Sequence, residues 1–106
     1  MTDAEMPLKP TYTFFRAEKR IPMEIPVLLD GHRRTPGTES TFTENVSARG
    51  ARVVSVRNWQ KGEQLTLVSR TGKFRSSARV AYCQPLHGEG YAVGVEFLET
   101  KGRWVV

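Results

Sequence analysis

From Ile25 onward the chain is written in short runs in which every second residue is apolar, each cut by glycine, proline or a polar turn. A period of two puts alternate side chains on opposite faces of an extended strand, whereas a helix needs a period near 3.6. Ile25, Val27 and Leu29 alternate and stop at Asp30-Gly31. Residues 31–39 (GHRRTPGTE) form a turn-rich loop, and residues 40–46 alternate weakly about Phe42. An apolar run follows from Ala51 to Val56. Residues 58–62 form a turn with Lys61-Gly62 at its tip, then residues 63–69 form a strand. Arg70-Thr71-Gly72 reads as a hairpin turn. Residues 73–83 form a long strand with Phe74, Ala78, Val80 and Tyr82 on even positions. After a loop from Pro85 to Gly90, Tyr91, Val93, Val95 and Phe97 alternate. Six short strands at a spacing of roughly 8–12 residues predict an all-β, antiparallel barrel or sandwich. Pro22 and Pro26 exclude a helix ahead of the first strand. A short helix or tail after Leu98 is expected to pack Trp104, Val105 and Val106 back on the body.

At 106 residues the chain fits one domain, large enough to bury roughly 60–70% of its unfolded surface. One cysteine, Cys83, excludes a disulfide scaffold, and with two histidines it excludes a Cys-rich zinc site. No apolar run approaches the roughly 18 residues that span a bilayer. The start, MTDAEMPLKP, lacks a signal peptide's basic head and apolar middle, so the expected compartment is the cytoplasm. Residues 1–13 have no period and read as a mobile tail, with Phe14 and Phe15 as the first anchors. The net charge of +5 is uneven: residues 1–48 carry −1 and residues 49–106 carry +6. A basic half attracts anions of some kind, although charge alone also suits an ordinary soluble surface.

Catalysis finds little support. His32 and His87 lie in loops without partners at a telling spacing. Cys83, at a strand end, reads as a small hydrophobe. Gly88-Glu89-Gly90 opens no helix and is not a phosphate loop. No enzyme, metal or cofactor is expected.

Two local patterns stand out. Arg16-x-x-x-Arg20 precedes the first strand, and Asn45-x-Ser47-x-x-Gly50 joins two later ones. Guanidinium forks suit bidentate recognition of phosphate and of the guanine O6/N7 edge. Asn45 can pair with a base edge and Ser47 can donate to a phosphate oxygen. Gly50 permits close backbone approach, a positive φ or a bulge. Each pattern alone also fits a basic surface segment and an Asx or Ser turn.

Together, in this order and followed by Gly94-Val95-Glu96-Phe97-Leu98, the motifs resemble the PilZ domain family, the bacterial receptor module for cyclic di-GMP. The resemblance covers residues 14–100 and leaves 101–106 as a C-terminal tail. It implies a six-stranded antiparallel β-barrel with a flexible N-terminal arginine segment across its surface. It further implies that Arg16 and Arg20 hold guanine edge and phosphate, Asn45 a guanine, Ser47 a phosphate or guanine, with Gly50 keeping the turn open. Phe15, Ala48 and Arg49 flank these positions as additional candidates. Many members carry an arginine next to the first motif arginine; Phe15 and Ala17 stand here instead, which favours one ligand per chain. The expected role is a stand-alone receptor or adaptor in which ligand orders the arginine segment and a downstream protein reads the result. The rival on the same fold is a protein-interaction module that binds no nucleotide, with Trp59 and Trp104-Val105-Val106 as contacts. A nucleic-acid barrel using Phe74, Tyr82 and Tyr91 is the other rival. Those aromatics sit where core burial is the simpler reading, so no nucleic-acid polymer is expected.

Overall fold

The alternating segments pair as the period of two requires. The computed structural model describes residues 19–106. Among the described residues there are seven strands: β1 (Ile21–Pro22), β2 (Pro26–Gly31), β3 (Gly37–Ser47), β4 (Gly50–Ser55), β5 (Gln64–Ser69), β6 (Phe74–Pro85) and β7 (Tyr91–Gly102). All pairings are antiparallel. The order β3-β2-β5-β6-β7-β4 closes on itself through β3–β4, giving a six-stranded barrel; β1 adds to β3 beside β2. Closure removes the free strand edges that would invite pairing with other chains. Among the described residues no helix is long and apolar enough to cross a membrane.

The inward positions follow the alternation: Val27 and Leu29, Ala51 and Val53, Leu65 and Leu67, Ala78 and Val80, Val93 and Val95 are all buried. Trp59 joins this core from the β4–β5 connection, 2% exposed, its indole N–H donating to Ser55 Oγ at 2.9 Å. A buried indole needs such an acceptor. It is therefore a core residue and not a contact residue. At the start of β6, Phe74 clusters with Phe97 of β7 and with Trp104 beyond it, ring centroids 4.6–5.1 Å apart. The expected packing of Trp104 is present, whereas Val105 and Val106 remain exposed. The chain past Leu98 is neither helix nor tail at first: β7 continues to Gly102, paired with the start of β6.

Among the departures from simple alternation, three bear on the wall described below. Phe42 faces outward, 40% exposed, and Thr43 is buried instead. Between β1 and β2 the ladder along β3 is interrupted, and the Thr43 hydroxyl fills the gap. It accepts from Ile25 N at 2.8 Å and donates to Met23 O at 2.7 Å. Two backbone groups inside the barrel wall would otherwise go unmet, at a cost of about 1–3 kcal/mol each. The second departure is a register shift between Thr43 and Asn45 opposite β4. The third is a shift between Val80 and Tyr82 opposite β7. The last one reverses the parity of β6: Val80 is buried, Tyr82 turns outward, and Cys83 packs on the core.

Candidate functional site

Two register rows on the outside of the barrel gather the polar candidates. In the first, Pro22, Asn45, Arg52, Gly94 and Tyr82 are successive cross-strand partners from β1 through β3, β4 and β7 to β6. In the second, one pleat further along, they are Ser47, Gly50, Glu96 and Arg79. Cross-strand partners in one row lie side by side on one face. The fold thus carries Asn45 and Ser47 on the same stretch of wall, two residues apart.

Arg20, just ahead of β1, reaches this wall: its Nη1 donates to Asn45 Oδ1 at 3.3 Å. The arginine segment and the Asn-x-Ser-x-x-Gly segment are therefore brought together. Arg16 and Phe15 lie outside the described residues. Ser47 is buried, and its Oγ donates to Gly50 O at 3.4 Å, a long bond that a better acceptor can displace. The Ser47 carbonyl accepts the Trp104 indole N–H at 2.8 Å, and the Arg49 carbonyl accepts Phe97 N–H at 2.8 Å. Both bonds fix the β3–β4 turn, in which Ala48 and Arg49 are exposed. Gly50 has a role other than a positive φ. It is extended within β4, and a Cβ there would lie 2.3 Å from Val95 O. Only glycine lets β4 and β7 approach so closely at this point.

The sequence reading missed the centre of the first row. The shift at Thr43–Asn45 sets two residues, Glu44 and Asn45, against Arg52. Arg52 donates through Nε to Glu44 Oε1 at 2.8 Å and through Nη1 to Tyr82 OH at 3.2 Å and Gln84 Oε1 at 3.4 Å. Its guanidinium carbon lies 5.7 Å from the Tyr82 ring centre, within cation–π range. The bonds to Glu44 and then Tyr82 raise its pKa further, against a smaller opposing desolvation. The Tyr82 ring lies on Gly94, where a Cβ would fall 2.2 Å from the ring edge. Arg79 and Glu96 form an exposed ion pair at 2.9 Å in the second row.

Elsewhere the described residues form concavities, two of which are large. One of about 440 Å³ is lined by His32, Arg33, Arg34, Lys61 and Glu63 among others. One of about 710 Å³ lies beside Ile25, Phe74 and Trp104. Neither includes Asn45, Ser47 or Arg52. Cys83 is half-buried, and burial pushes its thiol pKa up, with a backbone hydrogen bond to Trp59 partly opposing. That is the reverse of an activated nucleophile. Among the described residues no group of three or more His, Cys, Asp or Glu could hold a metal ion.

With this geometry in view, comparison with protein families matches the chain to the PilZ domain over residues 14–103. The chain belongs to the PilZ domain family. No curated protein matches the sequence. The match spans the arginine motif, both register rows and all seven strands. PilZ domains are a family generally associated with cyclic di-GMP binding, and are binding modules rather than enzymes.

Proposed function

We propose that this PilZ domain is a cytoplasmic receptor for cyclic di-GMP, binding it on the outer wall marked by Asn45 and Ser47. The observation that carries the reading is the Arg20–Asn45 hydrogen bond at 3.3 Å, which joins motifs 25 residues apart at one place. The two parts have complementary chemistry. Arg16 and Arg20 offer ten N–H donors in planar forks, matched to guanine O6/N7 and to phosphate oxygens. Asn45 offers both a donor and an acceptor to a base edge, and Ser47 a hydroxyl to phosphate. Because Asn45 and Ser47 lie on a barrel wall and not in a cleft, the arginine segment supplies the facing side. Ligand then bridges segment and wall, and ordering of the segment uses part of the binding energy. A downstream protein reads the surface so formed. One ligand per chain is expected, since Phe15 lacks the hydrogen bonds a second guanidinium would give to a stacked second molecule.

Isothermal titration with cyclic di-GMP, run beside an Arg16→Ala/Arg20→Ala double variant, tests this. Saturable heat at one ligand per chain in the wild type and none in the variant is the expected result. A folded wild type that takes up no ligand would overturn the reading and leave the protein-interaction role on the same fold.

A further inference from the structure

We propose that Arg52 is a ligand-contacting arginine of this wall, facing the arginine segment, and that Glu44 both positions it and holds the affinity down. The inference rests on the reading of the site just given. Arg52 is the immediate cross-strand neighbour of Asn45 and lies in the same row. Its side chain is 28% exposed, so an incoming anion can reach it.

The guanidinium is held before any ligand arrives. Glu44 takes Nε, Tyr82 and Gln84 share Nη1, and the Tyr82 ring lies alongside. Gly94 makes this possible, because any side chain there would push the ring off the wall. Among the described residues Nη2 has no hydrogen-bond partner, and it remains available to a phosphate or guanine oxygen. A fork fixed in this way loses little further freedom on binding, so a contact through it is effective. Glu44 acts in the opposite sense as well. It sets a negative charge beside Asn45, where a doubly anionic ligand must approach, and charges at that range repel. Replacing its carboxylate by an amide keeps an acceptor for Arg52 Nε and removes the repulsion.

The experiment is titration of cyclic di-GMP into wild type, Arg52→Ala, Arg52→Gln, Glu44→Gln and, as a control for net charge, Arg75→Ala at an exposed position of β6. Each is measured at low and high salt, with a melting curve for every variant. Arg52→Ala is expected to weaken binding about 10- to 100-fold, the range for a lost hydrogen bond to a charged group. It should also lessen the salt dependence. Glu44→Gln should tighten binding several-fold, and Arg75→Ala should leave it unchanged. A merely structural Arg52 would shift the melting temperature without changing the salt dependence of binding. Arg52→Gln, which keeps length and polarity, decides the matter should the alanine variant fail to fold. Binding by the folded Arg52 variants within twofold of wild type overturns this inference and leaves the wider reading intact. A folded wild type that gives no binding overturns both.

Discussion

Single atoms decide several of the contacts on the barrel wall. At Gly94 a Cβ would sit 2.2 Å from Tyr82 Cε2, so Gly94→Ala forces the ring away and takes an acceptor from Arg52. We expect a loss of about 1–3 kcal/mol in stability by urea unfolding. Tyr82→Ala in the same chain should relieve most of it, so the two changes should be far from additive. Additive losses would show that the ring does not lie on Gly94. At Gly50 the clash is with the Val95 carbonyl, which is backbone and cannot swing aside. Cys83 gives a second residue-scale prediction. Burial raises its thiol pKa in the folded chain. The unfolded chain therefore gives up this proton first, and the folded state loses stability as pH rises through the ordinary thiol range near ~8.5. Correspondingly, a thiol reagent at pH 8 should label native Cys83 more slowly than the urea-unfolded protein. Equal rates would contradict the raised value.

Elements couple the wall to the rest of the barrel through Trp104, which follows β7, packs on Phe74 and Phe97, and donates to the carbonyl of Ser47. A ligand that draws the Ser47 hydroxyl away from Gly50 O acts on the peptide next to this bond. Cyclic di-GMP should therefore change the fluorescence of the Trp59→Phe variant, where Trp104 remains, and leave that of Trp104→Phe largely unchanged. The opposite pattern would separate Ser47 from Trp104. The same elements show what the sequence makes legible. β2, β5 and the body of β7 were readable because a large apolar residue recurs at every second position along the buried face. The continuation of β7 through Glu99, Thr100 and Lys101 was not, since those residues are exposed and only pairing with β6 makes them a strand. Phe42 misled for a related reason: the inward place beside it goes to Thr43, whose hydroxyl mends the break between β1 and β2. Asn45, Ser47 and Gly50 were visible as a motif. Arg52 and Tyr82 were not, because their adjacency depends on bulges at Glu44 and Ala81 that reset parity, and no simple period records a bulge.

On the scale of the whole molecule, the barrel is held unevenly. β6 and β7 pair along most of their length, from Phe74–Gly102 to Pro85–Tyr91, around buried Val80, Val93 and Val95. β1 pairs with β3 through Ile21 and Pro22 alone. Pro22 has no N–H to give, and beyond it the regular ladder gives way to single bonds, Met23 N–H to Glu44 O at 3.2 Å and Thr43 N–H to Ile25 O at 3.0 Å. Local opening costs least where few buried contacts must be broken, so β1 belongs to the least protected part of the described fold and β6–β7 to the most. Yet Arg20 is adjacent to β1, and β1 lies beside Asn45. The weakest strand thus adjoins the half of the proposed site that holds Arg20, while the closed wall of β3 and β4 carries the other half. Ligand bridging the two should transfer protection to β1 and add little to strands already closed. Amide hydrogen exchange followed by mass spectrometry should show peptides around residues 19–25 slowed by cyclic di-GMP, with those from residues 91–98 unchanged. If residues 19–25 exchange at the same rate with saturating ligand as without, the arginine segment is not the facing wall of the site, whatever affinity the titration gives.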